Sequence, residues 1–448
     1  MNNLHLLNSL LWKGVLIYLF LFVGIYLTIR LKGLQFRYFF TSLYLSFSRK
    51  ESGGKGDITP FQSLMTSLAA TIGIGSITGM ATALIAGGFG AIFWMWVVSL
   101  LGLIIKYSEA LLAIKYREID HRNEMCGGPM QYIEKGLGYK KLAVTFAFFG
   151  ACAAFFGGNV TQSHSIAEAV YELTETPMYI TGMILAFCTA IVILGGIKTL
   201  GKVNAYLVPI MGLTYFFGGI IVLVFHMENI SGVFNKIVLE AFNLSSAVRG
   251  ISAVGFMHAL QMGIVRGICS NEAGLGSAPI AAAAAKTKSS IRLALINMTG
   301  VFLSSFVVCT LTVLIIGVTG VSENTSLNGA PLVMRAFETT IPYGSLAVTL
   351  GILLFGYSTI LGWSYYGEKC IEYLFGERVI KAYRVLFIGF VFFGSLLKLE
   401  VVWALVDLTN GLMALPNLLA VFLLTPVLVR ETQRFEGYFS KVKKRRLN

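Results

Sequence analysis

Charge is scarce in this chain. Of 448 residues, 13% are charged and 56% are hydrophobic, and the mean hydropathy is +0.75. A soluble domain carries about a quarter charged residues, so a soluble globular fold is excluded. Cysteine pairs are also missing. The six cysteines (Cys126, Cys152, Cys188, Cys269, Cys309 and Cys370) stand singly with no Cys-x-x-Cys, so no metal or redox centre is implied. His-Glu-x-x-His, Gly-x-Ser-x-Gly and Gly-x-x-x-x-Gly-Lys-Ser/Thr do not occur, which leaves no enzymatic signature and no nucleotide-driven pump in this chain alone. The stretch "GIGSITG" does not satisfy the dinucleotide fingerprint, and it lies in an apolar run rather than at a strand-to-helix turn.

Long apolar runs recur from end to end, and about 20 apolar residues span a bilayer. They predict an all-α polytopic membrane protein with about eleven spans, roughly 11–30, 60–87, 89–114, 142–169, 178–197, 205–225, 250–284, 291–319, 345–373, 384–398 and 402–429. The first run has a barely charged start and no small-x-small cleavage site, and it ends in Arg30 and Lys32. It reads as a spanning helix rather than a signal peptide.

The net charge of +13 would suggest nucleic acid in a soluble protein. Here the basic residues fall in alternate loops: 30–57, 115–141, Lys198 with Lys202, Lys286 to Arg292, Lys369 to Arg384, and the tail "KVKKRRLN". The intervening loops are nearly free of them. Positive loops stay on the cytoplasmic side, so the N-terminus is expected outside and the C-terminus in the cytoplasm.

Two spans are poor helices at their centres. The first, 60–87, contains Gly73-Ile74-Gly75-Ser76, and the second, 250–284, contains "ALQMGIVRGICSNEAGLGSAP". Each opens a block of five spans, and the blocks start from opposite sides. The chain therefore reads as one transporter domain, 1–448, built as a five-plus-five inverted repeat. It has an extra N-terminal helix (11–30), a first repeat (60–225), a second repeat (250–429) and a basic tail (430–448). Non-helical backbone survives in a membrane only when it is buried in protein or lines a wet cavity. Broken helices at matching positions of inverted halves point to a midplane transport site. Freed N–H groups suit a carboxylate, and freed carbonyls suit Na⁺. The alternative for Gly75-x-x-x-Gly79 alone is a helix-packing face.

Hard cations take oxygen ligands. Ser358 and Thr359, beside Gly356 and Gly362, can face the first break and complete a Na⁺ cage, or simply bond back to their own helix. In the fourth span Asn159, Gln162, His164 and Glu168 are polar groups at membrane depth. Gln162 can bond a substrate. His164 and Glu168 share a face at i and i+4 and suit either a gate or a proton relay. Arg266 and Glu272 are the costliest residues of the seventh span, and they read as paired with each other, or with a carboxylate or a cytoplasmic-side partner, in an inner gate, with a direct substrate role for Arg266 as the alternative. Asp407 reads as structural.

The segments "TSLAATIGIGSITGMATAL", "GAIFWMW", "KYSEALLAIKYRE", "GGPMQYIEKGLG", "RGICSNEAGLGSAPIAAAAAKT", "STILGWSYYGEKCIEYLFG" and "DLTNGLMALPNLLA" together resemble the alanine or glycine:cation symporter family. They spread over nearly the whole chain. The resemblance implies a leucine-transporter type of fold and Na⁺-coupled uptake of small neutral amino acids, with H⁺ as coupling ion in some members. It implies that backbone at Ile74 and Gly75 holds the carboxylate. Carbonyls of Ala69 and Ile72, with Ser358 and Thr359, would form the Na⁺ site. Ala70, Ser76, Gln162, Phe256, Gln261, Gly263, Thr359 and Trp363 would line the substrate pocket. The family pattern at the break is Gly-Thr-Gly-Asn, where this chain has Ile74 and Ser76. The backbone groups are unaffected, while substrate preference can shift, for example toward glutamine.

The expectation is a prokaryotic inner-membrane secondary transporter working by alternating access. It needs no cofactor beyond Na⁺ as coupling ion. Its partners are an amino acid, Na⁺ and membrane lipid, without nucleic acid, and a monomer is the simplest assembly. A proton-coupled or glutamine-preferring symporter is the nearer alternative, and an uncoupled amino acid sensor or channel the more distant one.

Overall fold

The computed structural model describes residues 2–48, 54–242, 252–323, 327–397 and 399–447. Helix dominates them. Strand among the described residues is confined to one small hairpin, Glu118–Ile119 antiparallel to Met125–Cys126. In chain order the helices are α1 (Leu6–Arg30), α2 (Phe39–Phe47), α3 (Pro60–Thr71), α4 (Thr78–Gly87), α5 (Gly90–Lys115) and α6 (Lys140–Thr174). Next come α7 (Met178–Leu194), α8 (Gly196–Phe225), α9 (Met227–Ala241), α10 (Ser252–Asn271), α11 (Ala278–Ala283) and α12 (Ser290–Thr319). The last are α13 (Ala330–Glu338), α14 (Gly344–Phe375), α15 (Ile380–Gly394), α16 (Leu399–Leu423) and α17 (Thr425–Leu447).

Both predicted breaks are present. The α3 helix opens with a capping box, in which Thr59 and Gln62 satisfy each other's backbone N–H groups and Pro60 fills the first turn. It stops at Thr71, and α4 leaves at 64° to it. The second break follows Asn271. There Glu272, Gly274 and Gly276 take φ of +56°, +82° and +81°, a left-handed region that glycine enters freely and other residues rarely do. The chain resumes as the six-residue α11, with a proline in its first turn.

The α5 helix is buried along most of its length and packs on α10, α11 and α12. The α14 helix packs on α3, α6 and α8, and α16 packs on α6 and α1. Large apolar side chains such as Phe187, Tyr206 and Phe217 stay exposed on the outer faces of α7 and α8, where lipid replaces water as their surroundings.

Span boundaries shift by a few residues, and the expected eleven spans do not all meet a length-and-hydropathy test. Among the described residues seven helices do, and the bent α3–α4 pair makes an eighth. The α7 and α15 helices have 17 and 15 residues, below the roughly 20 that cross a bilayer untilted. The stretches 226–248 and 320–344, expected as loops, are not bare connections. They contain α9 and α13, short helices whose buried sides carry Val233, Ile237, Leu332, Val333 and Phe337.

The loop after α5 is pinned by charge. Lys369 Nζ lies 3.0 Å from Asp120, 2.9 Å from Glu372 and 3.5 Å from Glu124. Arg122 approaches Glu372 and Glu124 at 3.1 and 3.2 Å, and Arg384 of α15 grips Glu368 at 2.7 Å. Burial alone would raise the Asp120 carboxyl. The Glu124 N–H and the Lys369 ammonium more than offset it and hold Asp120 below the usual carboxylate range.

Candidate functional site

The two breaks meet in one small cavity, and Ala70, Gly75, Gln162, Thr359 and Trp363 line it. Five of the residues named from sequence as substrate-binding are thus brought together from α3, the first break, α6 and α14, and Arg266 and Glu272 line the same cavity. Gly73 fits because it lacks a side chain. A Cβ there would stand 2.5 Å from Thr359 Oγ1 and 3.2 Å from Gln162 Oε1. Gly75 has nothing within 4 Å of its missing Cβ and is exposed to the cavity.

At the first break the Ile74 N–H is already taken, since it donates to Gln162 Oε1 at 3.3 Å. Gln162 Nε2 in turn donates to Gly157 O at 3.1 Å, inside a π-helical turn at Phe156–Val160. Such turns interrupt α-helices frequently at functional sites. The side chains of Ile74 and Ser76 are buried and do not line the cavity. Ile74 instead packs toward Gly356 and Ile166. The two departures from the family pattern therefore point away from a ligand.

Thr359 Oγ1 donates to Ala69 O at 2.9 Å, and Ser358 Oγ to the same carbonyl at 3.4 Å. Both hydroxyls also reach Phe355 O of their own helix at 2.9 Å. The two sequence alternatives for this pair therefore coexist. Ile72 leaves the helix at φ −91° and ψ 76°.

The Arg266–Glu272 pair needs correction. Glu272 accepts from Ser277 Oγ at 2.6 Å, Trp363 Nε1 at 3.1 Å and Thr71 Oγ1 at 3.4 Å, and no ion pair among the described residues joins it to Arg266. The reason is geometric. Six residues on an α-helix turn about 600°, which leaves the two side chains on different faces, and Glu272 already stands past the helix end. Arg266 faces the cavity together with Asp407 and Asn410, so Asp407 belongs to the site rather than to the scaffold alone. Gly263 is likewise corrected. A Cβ on it would meet Trp94 Cβ at 2.8 Å, so it serves the contact of α10 with α5. Gln261 is half-buried and lies outside the cavity lining. The side chain of Phe256 lies outside the described residues.

His164 is buried and Glu168 exposed, and neither lines the central cavity. Sequence reading missed Gly157 and Thr161 in the lining, and Lys106 and Glu109 behind it. Lys106 is fully buried and donates to Asn271 O, the last carbonyl of α10, at 2.9 Å, where a cation suits the helix dipole.

Broken helices crossing at a polar cavity, with hydroxyls on a freed carbonyl, define a secondary transporter of the membrane. The chain belongs to the sodium:alanine symporter family, which it matches over residues 1–448. It is 48% identical to the sodium/alanine symporter AgcS of Methanococcus maripaludis, over 96% of this chain and 95% of that one. It is 36% identical to the probable sodium/glutamine symporter GlnT of Bacillus subtilis, over 94% of this chain and 87% of that one. Its fold is that of the LeuT-type transporters. The structure of MhsT in complex with L-phenylalanine superposes at a TM-score of 0.59 with 12% identity, covering 85% of this chain and 99% of that one. The protein is thus a sodium-coupled amino acid symporter of the prokaryotic plasma membrane, and not an enzyme.

Proposed function

We propose that the chain carries a small neutral amino acid of the alanine and glycine class into the cytoplasm, driven by an inward Na⁺ gradient. The observation that carries this reading is the single wall shared by two kinds of site. Thr359 touches Ala69 O on one side and the space over Gly73 on the other. On this reading the Gly75 N–H takes the substrate carboxylate, while the carbonyls of Ala69 and Ile72 with Ser358 and Thr359 take Na⁺. The division into two inverted five-helix halves, with the N-terminus outside, belongs to the same reading. Each positive charge moved inward across about 100 mV contributes roughly 2.3 kcal/mol.

A second reading has a specific observation behind it. Arg266, Asp407 and Asn410 make one wall of the cavity polar, which suits an amide side chain such as glutamine's. The test is uptake of labelled alanine, glycine and glutamine into proteoliposomes at constant pH, with and without a Na⁺ gradient. Na⁺-dependent accumulation of alanine or glycine supports the first reading, and of glutamine alone the second. Accumulation of none by folded protein refutes both.

A further inference from the structure

Behind the second break lies an ionisable cluster of which only Glu272 reaches the substrate cavity. Lys106 and Glu109 share a face of α5 at i and i+3, and Glu272 begins the unwound segment opposite them. Their exposures are 1%, 0% and 3%. With all three ionised, the charges +1, −1 and −1 leave the cluster at −1, in a setting where an uncompensated charge is unfavourable. No ion pair within 4.0 Å joins Lys106 to either carboxylate among the described residues. The cluster is therefore short of one positive charge.

The two carboxylates are not equivalent. Glu272 accepts hydrogen bonds on both oxygens, from Trp363 on one and from Ser277 and Thr71 on the other. Glu109 accepts on Oε1 from Asn417 Nδ2 at 2.5 Å, while its buried Oε2 makes no close hydrogen bond and the backbone N–H groups of Gly274 and Gly276 face the carboxylate from the unwound segment. The groups facing Glu109 are Lys106 on its own helix, Glu272 and the Gly274 carbonyl in the unwound segment, Asn417 on α16, and Tyr132, whose hydroxyl donates to Asn417 Oδ1. None of these side chains places a donor on Oε2.

We propose that Glu109 is a proton-binding site of the transport cycle, taking up and releasing a proton as the 272–277 segment rearranges. This rests on the transport reading above. A proton from water bonds to Oε2, the carboxylate becomes a neutral carboxyl, and the cluster goes from −1 to 0. The release reverses each step. Asn417 links this change to the broken helix. Its one amide nitrogen donates both to Glu109 Oε1 and to Gly274 O, the latter at 2.9 Å. Protonation turns the first of these from a charge-assisted bond into a neutral one, which is weaker, so the amide shifts its weight to the Gly274 carbonyl. The break is then held differently in the two protonation states, which is the two-state bias that coupling requires.

The experiment uses the full chain in proteoliposomes with a pH-sensitive dye inside, equal Na⁺ on both sides and the potential clamped at zero. Labelled alanine is the probe, with glutamine in its place if alanine does not exchange. Counterflow of label measures transport independently of any proton. The expected result is a lumenal pH change that follows the amino acid gradient in the wild type. In E109Q, which keeps the volume but cannot ionise, that pH signal falls at least tenfold while counterflow persists. E109D retains a carboxyl and is expected to retain the signal, and E109N, which cannot ionise either, replaces E109Q should the latter not fold. Counterflow without a pH signal in the wild type overturns the proposal and leaves the transport reading intact. An undiminished pH signal in folded E109Q overturns it equally. Absence of counterflow with both probes overturns the transport reading and the proposal with it.

Discussion

Replacing Thr359 by valine separates two roles for its hydroxyl. The substitution keeps the branched shape and removes one oxygen. Two oxygens about 2.4 Å from one hard cation, at roughly right angles, stand about 3.4 Å apart. Ser358 Oγ lies 3.4 Å from Ala69 O, and Thr359 Oγ1 lies 2.9 Å from it, so a small outward movement of the carbonyl opens a cage of the right size. A hydrogen-bonding contact to a charged partner contributes about 1.5–3 kcal/mol. Losing it as a Na⁺ ligand raises the half-saturating Na⁺ concentration about tenfold to a hundredfold. Thr359→Ser, which keeps the oxygen, stays within about threefold of wild type. If the hydroxyl only bonds Phe355 O and Ala69 O, Thr359→Val lowers thermal stability by roughly 1 kcal/mol and leaves the Na⁺ dependence alone. The assay is labelled uptake against Na⁺ concentration at saturating substrate. An unchanged Na⁺ curve in folded Thr359→Val refutes the Na⁺ role of this residue.

The remaining predictions concern the break and the charged loop. Gly73→Ala places a methyl against Thr359 and Gln162 in a backbone conformation that alanine accepts (φ −104°, ψ −162°), so uptake falls at least tenfold while detergent-purified protein stays monodisperse in size-exclusion chromatography. Gly75→Ala meets no protein atom and narrows the cavity instead. Competition assays should show larger amino acids losing affinity more than glycine. Lys369→Met leaves Asp120, Glu372 and Glu124 without their shared ammonium. Removing one partner from such a buried group costs about 3–5 kcal/mol, and differential scanning fluorimetry should show a lower Tm than for a Lys369→Arg control. The depressed Asp120 carboxyl contributes stability that is fully present above the unfolded value near 4 and is lost as pH falls through the lower folded value. The Asp120→Asn variant should therefore be less stable than wild type at pH 7, with the gap constant down to about pH 4 and closing only below it.

Much of this site could be read in the chain because its backbone is unusual. Gly73 and Gly75 in the middle of one apolar run, and Gly274 and Gly276 in another, are hard to explain except as broken helices. The polar residues were harder, because their roles depend on direction. Arg266 and Glu272 are near in sequence and costly in lipid, which suggests a pair. The break between them turns Glu272 toward Trp363 and Ser277. Lys106 and Glu109 sit near the end of their run, where charges usually mark a water interface. Only the packing of α10 and α11 across α5 reveals that this end is buried. Asp407 is one of several polar residues in a span, and nothing in its neighbours indicates that it shares a cavity with Gln162. The helices α9 and α13 went unread because their apolar sides are too short to look like spans.

The distances at the first break bear on how ion and substrate become coupled. Gly73 lies between Thr359 and Gln162, and a single missing methyl separates the two. Gln162 holds the Ile74 N–H, one residue before the glycine assigned to the carboxylate. Thr359 holds the Ala69 carbonyl, six residues before that glycine. An ion that pulls Ala69 O and Thr359 together therefore fixes the peptide units on which the carboxylate must rest. The ordering cost is then met once for both ligands, and the ion raises substrate affinity without touching the substrate. Linkage makes the effect reciprocal, so substrate must raise Na⁺ affinity by the same factor. A coupling of about 1–3 kcal/mol, which corresponds to five- to 150-fold, needs no long pathway here. It requires only that the segment from Ala69 to Gly75 be less ordered when both sites are empty.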